Sequence, residues 1–568
     1  MTSVASTCKM IPIDSSRNQI RLLEIPPGSD PDDIHCTQKL ICLDDKVEYQ
    51  TLSYVWGERT EGRSIILEGC RVEVTDNLFS ALHTIRSSTE LTILWVDALC
   101  INQEDAVEKK EQVYLMRRIY TQCANCFIHL GRVNASETGA SEDDSLEAAQ
   151  AAMDAIHVVA DSSPYSILPS SLGTPEAQAR AGKAFQFVQG APWWSRIWTI
   201  QESVAPPRHT LLWGPLSIPW EVFVKFSENA MALRWPDHLG LSFFVFFPQG
   251  IAHILSASFT ALDMASSWAR ETPNPLDMLW RFRYRHSTDP RDKVYSILAL
   301  LHEGERPLPS VASSDYELPA ATLYKRVTID LIRDDWGLRP LIGLRGEQKS
   351  VPGLPSWVVD WSLPKDGNIS EFWAHEKFYM DFTADRGLPM LDKDMLTHGE
   401  EDSVIHLNGL MFDHVLVSSK PVKTNEIDEV MRIWNELTTK ARAKGLRDDP
   451  ATETYRDIVF KHMMEGSFLD SDRRSDWRKT MWSNQTLFFT KTGFIGLGPS
   501  TVTRGDEIWI LSGGRVPFML RPREGVRVQT EKNKTGDCYF VGDVHMPGLM
   551  YGEAVEGRLD EQRFVQIH

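Results

Sequence analysis

The stretch 93–103 brings together side chains that could do chemistry. Its apolar run ends at Asp97, and the side-chain amides of Asn102 and Gln103 follow within six residues. A buried strand with polar groups at its carboxyl end is where open α/β sheets bind ligands, which makes Asp97, Asn102 and Gln103 candidate site residues. The residue types also allow a structural role, in which Asp97 caps the loop and the amides tie it down.

A second candidate is Glu202, which follows two tryptophans at helical spacing. Trp194, Trp198 and Glu202 are four residues apart, so on a helix they would share one face. A carboxylate beside two indoles is either the polar edge of an aromatic core or a desolvated acid in a pocket wall. A salt bridge from Glu202 to Arg196 is the structural alternative.

The cysteines offer weaker chemistry. Eight cysteines are scattered without a framework spacing, which is typical of reduced thiols in a cytosolic protein. The tight pair Cys123 and Cys126 has no second pair to complete a zinc site. Cys100 has no accompanying His or Asp at triad spacing that would make it a nucleophile. We therefore expect no metal site.

Alternating strand and helix patterns must position these side chains. Residues 50–56 read as a strand, 65–74 as a hairpin, and Thr75 or Asp76 as the cap of a helix. A second strand, a helix over 104–121 and a strand over 126–130 follow. This order predicts an α/β fold with a parallel sheet, and no glycine-rich phosphate loop follows its first strand.

The rest of the chain divides by pattern into further regions. Residues 1–48 read as a leader that packs on the first domain, and 49–215 as that α/β domain. An insertion at 133–190 is expected to be a solvated surface segment with one helix. Residues 216–480 read as mainly helical, and 481–568 as a small β-rich module.

Composition excludes several classes of partner. With 60 basic and 78 acidic residues the net charge is −18, which repels nucleic-acid backbones, and no local basic patch offsets it. The most apolar segment, 239–262, is interrupted by Pro248 and Gly250, so we expect a buried helix and no membrane span. The N-terminus has no secretory signal pattern. These features predict a soluble cytoplasmic protein.

Seven blocks of sequence follow one another in a recognisable order. The blocks are LSYVWG (52–57), VTDNLFSAL (74–82), LWVDALCINQED (94–105), EQVYLMRRIYTQCANCFIHLGR (111–132), WWSRIWTIQE (193–202), DPRDKVYSILAL (289–300) and LPSWVVDWS (354–362). Together they resemble fungal heterokaryon incompatibility (HET) domain proteins. This resemblance implies a part in nonself recognition and programmed cell death in filamentous fungi, with other incompatibility proteins or a second copy of the chain as partners.

A second and more remote resemblance rests on a few positions of the first domain. Ser53 and Tyr54 end its first strand, Asp97 ends its second, and Trp198 with Glu202 form a Trp-x-x-x-Glu pattern on a later helix. These positions resemble those of TIR domains, which implies a flavodoxin-like sheet. Enzymatic TIR domains cleave NAD at the nicotinamide bond with that glutamate. The resemblance implies the same role for Glu202, with NAD as a candidate nucleotide substrate and no cofactor or metal required.

These observations together give one candidate site and three functional hypotheses. The favoured hypothesis is a TIR-like NAD hydrolase. The alternatives are a non-enzymatic effector or adaptor that self-associates through surfaces such as residues 111–120, and an enzyme acting on another small molecule in biosynthesis. Glu202 and Asp97 are the candidate catalytic residues, and the candidate substrate-binding residues are Ser53, Tyr54, Trp56, Gly57, Trp95, Asn102, Gln103, Arg196, Trp198 and Gln201.

Arg291 and Asp292, in the DPRDK block, are expected to make a structural ion pair with the first domain.

Overall fold

The computed structural model describes most of the chain in segments. They are residues 10–29, 33–57, 63–133, 142–161, 167–231, 275–298, 308–311, 314–343, 349–363, 379, 381–389, 396, 403–423, 427–446, 450–465, 482, 484–523 and 536–568. The apolar segment 239–262 lies outside them. Within the described segments, no helix is long and apolar enough to cross a membrane.

The chain forms two compact units. The first comprises residues 1–307 and 311–317, and the second residues 308–310 and 318–568.

The N-terminal unit is built on a nine-stranded mixed sheet of order β5-β4-β2-β1-β6-β3-β7-β8-β9. Strands β1 and β2 come from the leader and pair antiparallel with each other. The strands are β1 (Gln19–Ile25), β2 (His35–Cys42), β3 (Gln50–Tyr54), β4 (Ser64–Leu67), β5 (Cys70–Glu73), β6 (Thr92–Trp95), β7 (Asn125–His129), β8 (His209–Trp213) and β9 (Leu216–Pro219).

Four neighbouring strands, β6, β3, β7 and β8, form a parallel core. In chain order they are the second, first, third and fourth strands of that core, which is the flavodoxin-like order. The predicted fold class is therefore confirmed. In such sheets a ligand crevice opens beyond the carboxyl ends of the two strands where the winding direction reverses, here β3 and β7.

Helices join and cover these strands where the sequence supplies caps. The Thr75 side chain accepts a hydrogen bond from the Leu78 amide and begins α1, as predicted. The Asp105 side chain caps α3 in a similar way, because it accepts hydrogen bonds from the Val107 and Glu108 amides. The helices are α1 (Asp76–Ile85), α2 (Asp97–Cys100), α3 (Ala106–Gln122), α4 (Glu142–Asp161), α5 (Pro175–Gly190), α6 (Thr199–Val204), α7 (Trp220–Met231), α8 (Pro275–Phe282) and α9 (Asp292–Leu298).

The expectation that 133–190 is a solvated segment with one helix was wrong. The structure has two long helices there, α4 and α5, and buried alanines such as Ala152 and Ala184 place both in the core. Small alanine side chains let helices pack closely even though the surrounding sequence is polar. This segment is part of the crossover from β7 to β8.

The helix expected to carry Trp194, Trp198 and Glu202 on one face is shorter than predicted. Pro192–Ser195 forms a 3-10 turn, Arg196 is extended, and α6 begins only at Thr199. Trp198 remains at the N-cap, and its carbonyl accepts the Glu202 amide at 3.2 Å. Trp194 therefore belongs to a separate turn, whereas Trp198 and Glu202 keep their one-turn relation.

The C-terminal unit contains a seven-stranded sheet of order β12-β11-β10-β13-β14-β15-β16, in which β10 also pairs with β16. That extra pairing closes β10, β13, β14, β15 and β16 into a small barrel-like ring. The small β-rich module predicted for the C-terminal part of the chain is therefore confirmed. The strands are β10 (Ile405–Ser418), β11 (Gln485–Thr490), β12 (Ile495–Pro499), β13 (Glu507–Leu511), β14 (Phe518–Pro522), β15 (Gly536–Asp543) and β16 (Arg563–Ile567).

The range expected to be mainly helical contributes both helices and one long strand to this unit. Strand β10 was missed because its alternation is broken by a bulge between Met411 and Asp413. The helices of the unit are α10 (Ala320–Leu331), α11 (Ile427–Ala443) and α12 (Pro450–Glu465).

Candidate active site

Glu202 forms the centre of a buried hydrogen-bonded chain with Ser53 and Trp193. The Ser53 hydroxyl donates to Oε2 of Glu202, and the indole of Trp193 donates to the Ser53 oxygen at 2.7 Å. Because an indole can only donate, it directs the single hydroxyl proton of Ser53 toward the carboxylate. Ser53 lies near the carboxyl end of β3, so the crossover delivers Glu202 to the edge where the crevice is expected.

Burial controls the protonation of Glu202, whose side chain is 4% exposed. Desolvation by burial is the main reason that the pKa of Glu202 is raised to about 7, and the charge of Asp97 also raises this pKa. The charge of Arg196 and the hydrogen bond from Ser53 act in the opposite direction. A carboxyl group with this pKa exchanges a proton near neutral pH. It can therefore serve as a general base or, when ionised, stabilise a cation.

Asp97 lies at the partly exposed rim, two residues after the end of β6 and at the start of α2. The indole of Trp56 donates to its Oδ2 at 3.0 Å, and the Ala98 amide donates to Oδ1 at 2.7 Å. Burial of the carboxyl group raises the pKa of Asp97, and the charges of Arg196 and Lys109 oppose that effect. Asp97 thus supplies a negative charge that Glu202 senses.

Tyr54 and Arg196 each interact electrostatically with both of these carboxyl groups. The guanidinium of Arg196 donates to the Tyr54 carbonyl. The pKa of the buried Tyr54 hydroxyl is raised well above its usual value by burial and by the charge of Asp97, with a smaller contribution from Glu202. Tyr54, Arg196, Asp97 and Glu202 therefore share one electrostatic environment.

The salt bridge from Glu202 to Arg196, which was the structural alternative to a catalytic role for Glu202, is not formed within the described segments. The Arg196 guanidinium donates to the Tyr54 carbonyl instead. Its charge nevertheless lowers the pKa of Glu202.

The amides of Asn102 and Gln103 tie down the loop beside Asp97. The Gln103 side chain donates to the Asp97 carbonyl at 3.1 Å, and Oδ1 of Asn102 accepts the Glu104 amide at 3.3 Å. The Glu108 carboxylate accepts a hydrogen bond from the backbone amide of Asn102 at 2.7 Å. These contacts give both residues a loop-positioning role.

Three other predicted site residues lie in different settings. Trp95 is fully buried and packs edge-on against Tyr120 at 5.6 Å, so it forms part of the core. Gly57 is exposed with φ of 70°, a left-handed conformation that favours glycine. Gln201 is fully buried, and neither atom of its amide has a hydrogen-bond partner within the described segments.

The DPRDK segment makes contacts within its own sequence and with the first domain. Arg291 pairs with Asp289 at 2.6 Å, and Asp292 accepts the Tyr316 hydroxyl at 2.7 Å. The Trp198 side chain also donates a hydrogen bond to Asp292. The expected ion pair of Arg291 and Asp292 with the first domain itself stays a prediction.

Sequence reasoning missed Trp193 and Arg285 as contributors to this site. Trp193 stands in the same tryptophan-rich block as Glu202, but its partner Ser53 is 140 residues away. Arg285 lies three residues after the end of α8, and nothing in its local sequence indicates a contact with Thr199, 86 residues away.

Cysteine and metal chemistry receive no support at this site. Burial raises the pKa of Cys100 to about 12, which keeps it a thiol at neutral pH. Within the segments that the structure describes, no group of three or more His, Cys, Asp or Glu side chains could hold a metal ion.

Comparison with known proteins finds a family that matches the part of the chain that carries this site. The family described as heterokaryon incompatibility protein (HET) matches residues 49–202, which include both Ser53 and Glu202. The chain carries a HET domain at these residues. The Het-6 beta-barrel domain also matches this HET-domain protein, at residues 450–565, a range that contains β11 to β15 and part of β16, whereas β10 precedes it.

The HET-domain protein is similar along nearly its whole length to a curated relative. It is 20% identical to heterokaryon incompatibility protein 6, OR allele, of Neurospora crassa, in an alignment covering 96% of each chain. No solved structure matches it. Membership of the family supports a role in fungal nonself recognition.

Proposed function

We propose that this HET-domain protein cleaves NAD between nicotinamide and ribose, as its contribution to fungal nonself recognition and regulated cell death. The observation that carries the proposal is the Glu202 carboxyl group, which is buried, is hydrogen-bonded by Ser53 and has a pKa of about 7. Its correspondence to the Trp-x-x-x-Glu glutamate of enzymatic TIR domains gives additional support.

The reaction needs little from the protein beyond one placed carboxylate. The bond between ribose C1′ and the nicotinamide nitrogen breaks with its electron pair moving to nitrogen, so a cationic ring leaves as a neutral base. C1′ becomes an oxocarbenium ion, which ionised Glu202 stabilises directly or by holding the ribose hydroxyls. Water then adds to C1′ and loses a proton.

The rim residues suit the rest of a dinucleotide. Trp56 and Trp198 are partly exposed and offer aromatic faces for a base. The partly exposed Arg196 offers a planar guanidinium for the diphosphate. Asp97 orients Trp56 through the 3.0 Å hydrogen bond.

The variant Glu202→Gln tests the assignment of the carboxylate. It keeps the shape and the capacity to accept the Ser53 hydroxyl, but it removes the negative charge. We expect nicotinamide release, followed by chromatography, to fall by about a hundredfold or more. The matched control is Glu221→Gln, an exposed acid at the start of α7. Equal release by wild type and Glu202→Gln would contradict the assignment.

Self-association without catalysis is a second candidate function, favoured by one surface feature. Val107 and Tyr114 on α3 are 64% and 61% exposed and lie two turns apart on one face of the helix. If this face drives signalling, Tyr114→Asp should abolish self-association in sedimentation experiments and also abolish cell death. Cell death lost in Glu202→Gln but retained in Tyr114→Asp would contradict this candidate.

A further inference from the structure

The helix that carries Glu202 is held in place by residues outside the matched HET range 49–202. Arg285 is 1% exposed, and its Nη1 donates to the Arg196 carbonyl at 3.1 Å and to the Thr199 hydroxyl at 3.0 Å. The Thr199 hydroxyl in turn donates to the Arg196 carbonyl at 2.8 Å. One guanidinium therefore fixes both the extended residue Arg196 and the first residue of α6.

The backbone around Arg285 is itself fixed against the same segment. Arg196 and His286 form a parallel bridge, in which the Ile197 amide donates to the His286 carbonyl at 2.9 Å. The His286 amide donates to the Ser195 carbonyl at 2.6 Å. The buried ammonium of Lys293 donates to the carbonyl of Arg285 from the other side.

Arg285 is an unusual choice for a purely structural tie. Within the described part of the chain no carboxylate pairs with it, and its contacts are the Arg196 carbonyl, the Thr199 hydroxyl, the hydroxyl and ring of Tyr284, and the ring of Phe282. A buried guanidinium without a counter-charge costs free energy, whereas an apolar side chain would pack there without that cost. Its fork of donors does what an apolar group cannot, because it fixes the direction of the Arg196 segment.

We propose that Arg285 is a positioning residue that holds Arg196 and the N-terminus of α6 in register with Glu202. The Arg196 carbonyl is held by Arg285 while its guanidinium is held at the Tyr54 carbonyl. Its positive charge therefore has a fixed place beside Glu202. The inference rests on the proposed function for its catalytic meaning, although the placement of Arg196 can be measured without any substrate.

The observable is the protonation of Glu202. Arg196 is the neighbouring charge that lowers the pKa of Glu202 most, so a segment that moves away lets that pKa rise. The titratable and charged groups that face Glu202 from the packed elements are Arg196, Asp97, Tyr54, Tyr120, Cys126 and His209. All except Arg196 are left in place by a change at Arg285.

The experiment follows the carboxyl carbon of Glu202 by NMR in full-length protein labelled with ¹³C-glutamate, the resonance being assigned by its loss in Glu202→Gln. In Arg285→Met we expect its titration to move to higher pH by about half a pH unit or more. Arg285→Lys keeps the charge without the planar fork and should show a smaller movement. Thr199→Val removes the other partner of the contact, and it should raise the pH of the Glu202 titration in the same way. It serves as the test variant if Arg285→Met does not fold.

Arg456→Met is the matched control. Arg456 is 5% exposed, lies in the C-terminal unit and donates to the Gly493 carbonyl. This variant should lower the melting temperature and leave the Glu202 titration unchanged. With NAD as substrate, we expect kcat/KM of Arg285→Met to fall about tenfold to a hundredfold, with the rising limb of its pH profile moved in the same direction.

An unchanged Glu202 titration in folded Arg285→Met, or in folded Thr199→Val, would overturn the inference. The proposed function fails separately, through absence of nicotinamide release from wild type. A protein that releases no nicotinamide but shows the titration change would retain Arg285 as the positioning residue of this carboxyl group.

Discussion

At the residue scale, the chemistry depends on Glu202 being ionised for part of the time at neutral pH. Its oxygen accepts the Ser53 hydroxyl, and its pKa is about 7 because the side chain is buried. Trp193 fixes the direction of that hydroxyl. A group in this position is poised between its acid and base forms, as catalytic carboxyl groups often are.

The pH dependence of the proposed reaction follows from this protonation. If the carboxylate is the active form, kcat/KM for NAD should rise with pH, with its midpoint close to the pKa of about 7 of free Glu202. Initial rates between pH 5 and pH 9 measure this profile. A profile that falls as pH rises through 7 would mean that the protonated acid is the active form.

The same residue should reduce stability at alkaline pH. A carboxyl group whose pKa is raised from 4.5 to about 7 favours the folded state fully only below its unfolded pKa, and this contribution is lost as pH rises through about 7. We expect Glu202→Gln to increase the free energy of unfolding by about 2 kcal/mol more at pH 8 than at pH 5. Urea unfolding at both pH values measures the difference, and an equal effect would contradict the pKa.

At the element scale, a buried ion pair anchors the loop that follows Asp97. Arg21 on β1 meets Glu108 on α3 through two contacts of 2.6 and 2.8 Å. Arg21 also donates to the Cys100 carbonyl at 3.0 Å, and Glu108 accepts the Asn102 amide at 2.7 Å. The leader strand is thereby tied to the loop at the rim of the site.

Breaking that pair from one side should be costly. In Glu108→Gln, Arg21 remains buried at 1% exposed without its counter-charge, and we expect the free energy of unfolding to fall by about 3 kcal/mol. Chemical denaturation measures it, with the exposed Glu104→Gln as the control. A loss no larger than that of the control would show that the pair does not stabilise the fold.

Local signals made much of the fold predictable from the sequence. The Thr75 cap and the strands of the C-terminal module depend on neighbouring residues, so their patterns survive without knowledge of the fold. Helix α4 was misjudged because its alanines and acids are typical of a solvated helix. The arrangement around Glu202 depends on contacts over long sequence separations, such as Arg285 to Thr199, and spacing alone does not encode them.

The site itself was predictable in part. The resemblance to TIR domains placed Ser53 and Glu202 in one candidate site, and the structure joins them by a hydrogen bond. Trp193, which orients that bond, carries no local signal that separates it from the adjacent Trp194.

At the scale of the whole molecule, buried histidines make the N-terminal unit less stable at acid pH. Burial lowers the pKa of His129 and of His209 to about 4, so both are neutral in the folded protein at neutral pH. Neither nitrogen of His129 has a hydrogen-bond partner within the described segments. A depressed histidine pKa contributes stability that is present above about 6.5 and lost as pH falls toward 4.

Replacing His129 should therefore protect the protein from acid. We expect His129→Phe to increase the free energy of unfolding at pH 5, relative to its effect at pH 8, by about 2 kcal/mol. Thermal melts at both pH values measure the difference. A variant that is equally affected at both pH values would show that His129 is not protonated during acid unfolding.

The central claim is that Glu202 makes this HET-domain protein an NAD-cleaving enzyme. The most direct measurement is to incubate full-length wild-type protein, in excess over NAD, and to quantify nicotinamide by chromatography over time. We expect one nicotinamide for each NAD consumed with wild type, and release reduced by about a hundredfold or more with Glu202→Gln. No nicotinamide release above the rate in buffer at high protein concentration would contradict it.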